Sequence, residues 1–196
     1  MIKLYLSFII ASLLLISCGG SNIPDFGDDP EPEEETKTTS QISPLQRKYA
    51  AILGIPPKQA TSVKLYEFID SWEGTSYKMG GENRSGIDCS FFSQFLYHDV
   101  YNSLIERTAE KQFTAPSTNK FIGQEFLQEG DLLFFNLQGS EYNKVTHVGV
   151  YLGHNKFVHS TSNRTPQGNN GVQISNFKDR HWQKLFVAAG RKSNIK

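Results

Sequence analysis

Cysteine is scarce in this chain, with two among 196 residues, at positions 18 and 89. Because Cys18 ends a short apolar leader, the part of the chain that folds holds one thiol and has no partner for an intramolecular disulfide. In an exported protein, an unpaired cysteine is more often reactive or intermolecular than structural. The scarcity makes Cys89 a candidate nucleophile.

Three kinds of functional site also lack their sequence signals. No metal-ligand spacing such as His-Glu-x-x-His or Cys-x-x-Cys occurs, and no Gly-rich phosphate loop follows a strand. No basic cluster is dense enough, or interleaved with aromatics in the right way, for nucleic-acid binding. The sequence therefore predicts no metal, no cofactor and no nucleic acid partner.

The one long apolar run, Leu4 to Ile16, is well short of the roughly 20 residues that a membrane-spanning helix needs. With Lys3 before it, the run is typical of a secretion signal, and residues 15–18 (Leu-Ile-Ser-Cys) resemble the lipobox of bacterial lipoproteins. We expect a signal peptide over 1–17 and a diacylglycerol on Cys18, with an ordinary signal peptide or a short anchor as alternatives. The expected location is the bacterial cell envelope, on a membrane whose identity (inner or outer) the sequence leaves open.

The next segment, 18–42, is acidic and proline-rich, with few apolar side chains to offset the entropy of ordering. We expect it to be a disordered tether, with a partner-binding acidic tail as the alternative. Residues 43–196 are enough for one domain. They carry 18 of the 20 Lys and Arg but 13 of the 20 Asp and Glu, a net charge of +5 that favours an anionic polymer or surface.

Apolar residues at helical spacing predict helices over 44–53, 62–72 and 89–101, with Asp88 as the N-cap of the third. Beyond Gly130, short β-type runs are separated by Gly and Asn turns. The predicted strands are 131–136, 145–152, 156–160, 172–174 and 186–190. Helices first and strands later predict an α+β domain, in which the helix of Cys89 packs on a mostly antiparallel sheet of five to six strands.

Two features of the sequence could activate Cys89. Its place at the start of a helix puts the sulfur near the positive end of the helix dipole, and an imidazole could take its proton. His147 and His159 lie in apolar β-type runs, where an imidazole needs a partner. Asp88 opposes activation, because an adjacent anion disfavours the thiolate. The remaining histidines have structural interpretations, in a helix, a turn and a packed loop: His98, His154 and His181.

Five ordered segments of this sequence resemble the NlpC/P60 family of cell-wall peptidases, over roughly residues 62–191. They are Gly-Thr-Ser-Tyr-Lys-Met-Gly-Gly (74–81), Gly-Ile-Asp-Cys-Ser (86–90), Gly-Asp-Leu-Leu-Phe-Phe (130–135), His-Val-Gly-Val-Tyr-Leu-Gly (147–153) and Phe-Val-His-Ser (157–160). The resemblance implies a papain-like fold and a cysteine peptidase with a Cys-His-polar triad. By position, Cys89 is then the nucleophile, His147 the general base and His159 the group that orients its ring.

The resemblance also implies a substrate and a set of cleft residues. The substrate would be the stem peptides of peptidoglycan, cut between D-glutamate and the diamino acid or at a cross-link, through a thioester on the enzyme. Tyr77, Asp88, Ser90 and Arg107 match positions that line the family's cleft, although Glu106 stands where proline is common. We expect a monomer. The alternatives are an inactive wall-binding scaffold of the same fold, and an amidase or acyltransferase acting on another substrate.

Two departures from the family pattern bear on the site. Phe91 occupies a position where the family usually has glycine, and its ring could narrow the cleft or crowd the helix. The second point is the geometry of the predicted hairpin that joins the strands of His147 and His159. A two-residue turn at His154 and Asn155 would place His147 and His159 on opposite faces of the sheet, unless an odd-length loop or a bulge shifts the register.

Overall fold

The computed structural model describes residues 41–162 and 170–193. The predicted signal peptide, the lipidation site at Cys18 and nearly all of the predicted tether lie outside these residues. Within the described ranges, no helix has the length and apolar character needed to cross a bilayer.

Five α-helices are described, and the first three confirm the predicted ones. Their bounds are α1 Pro44–Leu53, α2 Val63–Trp72, α3 Cys89–Tyr101, α4 Ala109–Thr114 and α5 Arg180–Leu185. The two short helices were not predicted, because six residues are too few to establish a helical period. The loop assignment of His181 is wrong, since this residue lies in α5.

The helix that carries Cys89 begins and ends as its sequence predicts. The side chain of Asp88 accepts a hydrogen bond from the backbone N–H of Phe91, at 2.7 Å, and so caps the first turn. At the other end the chain leaves the helix through Asn102 in the left-handed conformation (φ 49°). Phe92 and Leu96 are fully buried, as the spacing indicates. The cap therefore fixes Cys89 as the first residue of α3.

Within the described residues there are eight strands, of which six form one antiparallel sheet in the order β3-β8-β4-β5-β6-β7. The bounds of the strands are β1 Glu82–Asn83, β2 Gly86–Ile87, β3 Thr118–Phe121, β4 Leu132–Phe135, β5 His147–Gly153, β6 Lys156–Thr161, β7 Gly171–Asn176 and β8 Phe186–Lys192. The predicted α+β class with a five- to six-stranded antiparallel sheet is confirmed. The edge strand β3 (Thr-Asn-Lys-Phe) was missed because it does not alternate apolar and polar residues.

A β-bulge in the β5–β6 hairpin puts His147 and His159 on the same face of the sheet. The turn has two residues and Gly153 pairs with Lys156, but the register shifts between Tyr151 and Gly153, so that Val150 lies opposite Val158. His147 is three residues from Val150 and His159 is one residue from Val158. Both offsets are odd, so both side chains point to the same side.

Apolar side chains cover both faces of this sheet. In β4, Leu132 and Phe134 face the core that α2 and α3 complete, whereas Leu133 and Phe135 face a second cluster closed by Trp182 of α5. Because β4 is buried on both faces, its sequence is a continuous apolar run and does not alternate with polar residues. As a result, Cys89 contributes to the first core, while His147 and His159 lie on the side of Trp182.

Candidate active site

Cys89 is a free, buried thiol at the start of α3, with 6% of its surface exposed. Burial, the largest effect, raises the pKa of the thiol to about 11. The backbone at Val148, and less strongly at Ser90 and Cys89, opposes that rise, while the charge of Asp88 adds to it. The resting form of Cys89 at neutral pH is therefore the thiol.

The carboxylate of Asp88, whose negative charge disfavours the thiolate, has three hydrogen-bond partners. Besides capping α3, its carboxylate accepts a hydrogen bond from the Ser90 hydroxyl, at 2.9 Å, and pairs with the guanidinium of Arg107, at 2.9 Å. Arg107 also donates to the Ser90 hydroxyl, at 3.0 Å. The structure thus brings three of the predicted cleft residues together, and the cation of Arg107 lies beside the anion of Asp88.

Phe91 lies beneath Arg107. The guanidinium carbon is 3.2 Å from the centroid of the ring, and the ring also contacts Phe95 at 5.5 Å between centroids. Among the described residues, Phe91 is not part of the lining of the cleft around Cys89. The expected narrowing of the cleft is not observed, and the aromatic ring instead supports the arginine.

Glu106, at the position where the family commonly has proline, anchors the segment of Arg107 to the sheet. Its carboxylate pairs with the buried ammonium of Lys192 at the end of β8, at 3.1 Å, and its carbonyl accepts a hydrogen bond from the Gln112 amide, at 2.8 Å. Gln112 also donates to the carbonyl of Ser90, at 3.2 Å. These contacts fix the backbone of Arg107 relative to α3.

His147 and His159 form the first part of a hydrogen-bonded chain of three side chains. Nε2 of His147 and Nδ1 of His159 are 2.8 Å apart, and Nε2 of His159 is 2.9 Å from the hydroxyl of Ser175 on β7. His159 is fully buried. Burial lowers the pKa of His147 to about 4, and His181 lowers it further. Burial also lowers the pKa of His159 well below its ordinary value, with smaller contributions from His147 and His181. Both rings are neutral at pH 7.

The ring of Trp182 holds the histidine pair from one side. It stacks on His147 with centroids 5.7 Å apart and planes inclined by 22°, and it meets His159 edge-on at 4.7 Å. Trp182 and Ser175 are site residues that the sequence did not reveal. An aromatic residue and a serine in ordinary secondary structure give no signal by themselves.

Cys89 lies where the first turn of α3 packs beside the start of β5, the strand that begins with His147. The backbone of Val148, the residue after His147, lies close enough to the sulfur to lower the pKa of Cys89. Nε2 of His147 is used by His159, which leaves Nδ1 as the nitrogen for the thiol. Within the described residues, Cys89 and His147 are not directly hydrogen-bonded; catalytic hydrogen bonds are often long in an empty site and shorten when substrate binds.

Two adjoining cavities lie at the start of α3 and the start of β5. A cleft of about 610 Å³ contains Cys89, Asp88 and Arg107, and a smaller cavity of about 150 Å³ contains His147 and Trp182. Tyr77 and Thr146 line both cavities. Burial is the main cause that raises the pKa of Tyr77, with contributions from Cys89 and Asp88, and its hydroxyl donates to the sulfur of Met79 at 3.6 Å. Tyr77 therefore lines the same cleft as Cys89.

The described part of the chain holds no group of three or more His, Cys, Asp or Glu side chains that could bind a metal ion.

A cysteine at the start of a helix, set against an antiparallel sheet that carries a pair of histidines, defines the papain-like class of domains. The chain belongs to the NlpC/P60 family, whose sequence profile matches residues 74–191. The match includes Cys89, His147 and His159, together with the cleft residues named above.

Relatives and solved structures agree with this assignment. The chain is 35% identical over 123 residues to a Haemophilus influenzae protein named probable endopeptidase NlpC homolog, which covers 62% of this chain and 58% of that protein. It is 26% identical to an Escherichia coli protein named murein DD-endopeptidase MepS/murein LD-carboxypeptidase, over 93% of this chain and 88% of the relative. A Staphylococcus aureus structure described as similar to a lipoprotein of the NLP/P60 family superposes with a TM-score of 0.55 at 27% identity, over 70% of this chain and 42% of that one.

The buried histidine pair makes stability depend on pH. An unfolded histidine titrates near pH 6.5, whereas burial lowers the pKa of both rings in the folded chain. As the pH falls below about 6.5, the unfolded chain binds protons that the folded chain does not, so the free energy of unfolding decreases.

We expect the urea midpoint to fall between pH 7 and pH 5. The free energy of unfolding should change by up to about 1.4 kcal/mol per pH unit for each histidine. His159→Gln should flatten this dependence, and His98→Gln serves as the control for replacing a histidine. A midpoint that is equal at both pH values would contradict the assignment of two neutral rings with lowered pKa values.

Proposed function

We propose that this chain is a cysteine peptidase that hydrolyses a peptide bond in the stem peptides of peptidoglycan. The observation that carries the proposal is a free cysteine that lines an open cleft of about 610 Å³, at the helix start that lies beside the strand of a hydrogen-bonded histidine pair. The names of the relatives, an endopeptidase and a murein endopeptidase, support the reaction and the polymer. The net charge of +5 on residues 43–196 suits an anionic wall polymer.

The reaction begins from a neutral pair. As the sulfur of Cys89 attacks the scissile carbonyl carbon, its proton passes to Nδ1 of His147. The tetrahedral intermediate collapses, the C–N bond breaks, and the leaving amine takes the proton from His147, so that a thioester remains on Cys89. Water then attacks the thioester and gives a proton to His147, which returns it to the departing thiolate as the new carboxylate is released.

The start of α3 supplies the groups that stabilise the developing oxyanion. Backbone N–H groups at a helix start have no partner within the helix and carry the positive end of the dipole. Those of Cys89 and Ser90 are the first two of α3, and Tyr77 lines the same cleft as both residues. Donors fixed before the reaction stabilise the transition state more than the ground state.

Asp88, Ser90 and Arg107 are proposed to bind the acyl side of the stem peptide. All three line the cleft together with Cys89. The side chain of Arg107 is 35% exposed, whereas that of Asp88 is 8% exposed. The exposed edge of the guanidinium can accept a carboxylate of the substrate without breaking its pair with Asp88.

Digestion of purified peptidoglycan by the full-length chain tests this function, with the products identified by mass spectrometry. We expect soluble fragments in which each cut gives one new carboxyl terminus on one product and one new amino terminus on the other. A new terminus at D-glutamate would identify the bond to the diamino acid, and loss of cross-linked dimers would identify the cross-link. Intact peptidoglycan after prolonged incubation, or transfer of the acyl group to an acceptor in place of water, would contradict hydrolysis.

We further propose that the protein acts at the cell envelope as a monomer, anchored by a lipid on Cys18. The support is the lipobox-like sequence, which lies outside the described residues. Cys18→Ala should move the protein from the membrane fraction to the soluble fraction, and labelled palmitate should no longer be incorporated. An unchanged distribution would contradict the anchor and leave the catalytic proposal intact.

A further inference from the structure

The hydrogen-bonded chain behind His147 ends at a hydroxyl. His147 on β5, His159 on β6 and Ser175 on β7 are joined by contacts of 2.8 Å and 2.9 Å across three neighbouring strands. Ser175 lies opposite Phe157 in the sheet register and is half-buried. It touches neither cavity of the site, so any effect on the chemistry must pass through His159.

The positions of the protons in this chain are linked. A neutral imidazole has one N–H donor and one bare nitrogen acceptor. If the Ser175 hydroxyl accepts from Nε2 of His159, then Nδ1 of His159 is bare and accepts from Nε2 of His147. In that state Nδ1 of His147 is bare and can take the thiol proton. If Ser175 donates instead, every bond reverses, and Nδ1 of His147 already carries a proton.

We propose that Ser175 is a positioning residue that selects the reactive tautomer of His147, by accepting the Nε2 proton of His159. The inference rests on the proposed function in one respect, since it assumes that His147 is the base for Cys89. The proposal involves only the three side chains. The direction of the hydrogen bond between Ser175 and His159 determines whether Nδ1 of His147 carries a proton.

The environments of the two ends favour this direction. Ser175 is half-buried, so its hydroxyl can donate to water while a lone pair accepts from His159. His159 is fully buried and cannot exchange its partner for water. Without the hydroxyl, an N–H at Nε2 of His159 would be buried and unpaired, a costly state. The proton would then favour Nδ1 of His159, which forces His147 into the unreactive tautomer.

The tautomers can be read directly by ¹⁵N NMR of histidine side chains in the full-length chain at pH 7, where both rings are neutral because burial lowers the pKa of each. The signals of His147 are assigned by His147→Gln. We expect a protonated Nε2 and a bare Nδ1 in His147 of the wild type. Ser175→Ala should move the proton of His147 to Nδ1, and Ser175→Thr, which keeps the hydroxyl, should restore the wild-type pattern.

Kinetics give the second readout. Ser175→Ala should lower kcat about tenfold, in line with the loss of one hydrogen bond to a buried group, with KM changed by less than about twofold. Ser175→Thr should recover most of kcat, and Ser193→Ala, which removes an exposed hydroxyl after β8, should have no effect. Urea unfolding of each variant shows whether a loss of stability accompanies the change.

The outcomes separate this inference from the proposed function. A wild-type His147 protonated at Nδ1, or a tautomer that Ser175→Ala leaves unchanged, would overturn the role of Ser175. If the tautomer of His147 changes in Ser175→Ala but the wild-type protein leaves peptidoglycan intact, the role of Ser175 is supported and the proposed function is overturned. Loss of activity in both Ser175→Ala and Ser175→Thr, with the tautomer unchanged, would reduce Ser175 to a structural residue.

Discussion

Cys89→Ala should reduce the release of peptidoglycan fragments by at least about 10⁴-fold, to the level of the uncatalysed background. The reason is that no other group described in the cleft can form the thioester on which the mechanism depends. Alanine removes only the sulfur from the first turn of α3, whose cap is formed by Asp88. The fold and the cleft should therefore survive the substitution.

Two controls accompany this variant. Cys18→Ala changes the only other cysteine and should retain full activity on purified peptidoglycan in solution. Co-sedimentation with insoluble peptidoglycan should be as strong for Cys89→Ala as for the wild type, because the substrate contacts are unchanged. Fragment release by Cys89→Ala within tenfold of the wild-type rate would contradict the nucleophile assignment.

Asp88→Ala should produce the largest loss of stability among the site variants, about 3 kcal/mol in the free energy of unfolding. Two losses add: the cap of α3, worth about 1 kcal/mol, and the buried carboxylate of the ion pair with Arg107. Urea unfolding of the full-length chain measures the change. Activity should fall as well, because Arg107 and Ser90 lose the acceptor that holds them at the edge of the cleft.

A matched set of variants separates the two contributions. Asp88→Asn keeps a good N-cap and loses the charge, while Arg107→Met keeps the cap and removes the partner. The double variant Asp88→Asn/Arg107→Met should be less destabilised than the sum of the single variants, by about 1 kcal/mol or more, because the two groups are in contact. Strict additivity would show that the ion pair contributes nothing to stability.

The main elements of the fold could be predicted from local patterns. The helix over 89–101 follows from a cap residue and regular apolar spacing, and the structure gives it the same bounds. The strands β4 to β8 follow from apolar runs between Gly and Asn turns. The strand β3 could not be found in this way, because its pairing with β8 is a tertiary contact and its residues carry no β pattern of their own.

The residues of the candidate site that lie in family-like motifs could be predicted. Their relative positions could not, because they depend on the register of the β5–β6 hairpin. Cys89, His147 and His159 come from the family-like segments, but their common geometry needs the bulge between Tyr151 and Gly153. An extra residue in a strand leaves no reliable trace in the sequence, so the hairpin could equally have separated the two histidines. The packing of α5 determines the place of Trp182 in the same way.

Arg107 and Phe91 show how the structure changes the interpretation of single residues. The departure from the family pattern at position 91 suggested a narrower cleft, but the ring lies under the guanidinium of Arg107. Glu106, which weakened the assignment of Arg107, is paired with Lys192 and holds that segment in place. Neither interaction could be predicted, because each joins residues that are distant in the sequence or lie in a loop.

The central claim, that the thiol of Cys89 carries the reaction, is tested most directly by titrating that thiol in the Cys18→Ala background, which leaves one cysteine in the chain. The fraction of Cys89 alkylated by iodoacetamide is measured by mass spectrometry, and fragment release from peptidoglycan is measured on the same samples. We predict that activity falls in direct proportion to alkylation and reaches zero when every thiol is modified, with chelators having no effect. Activity that persists after complete alkylation, or that a chelator removes and added metal restores, would contradict the account.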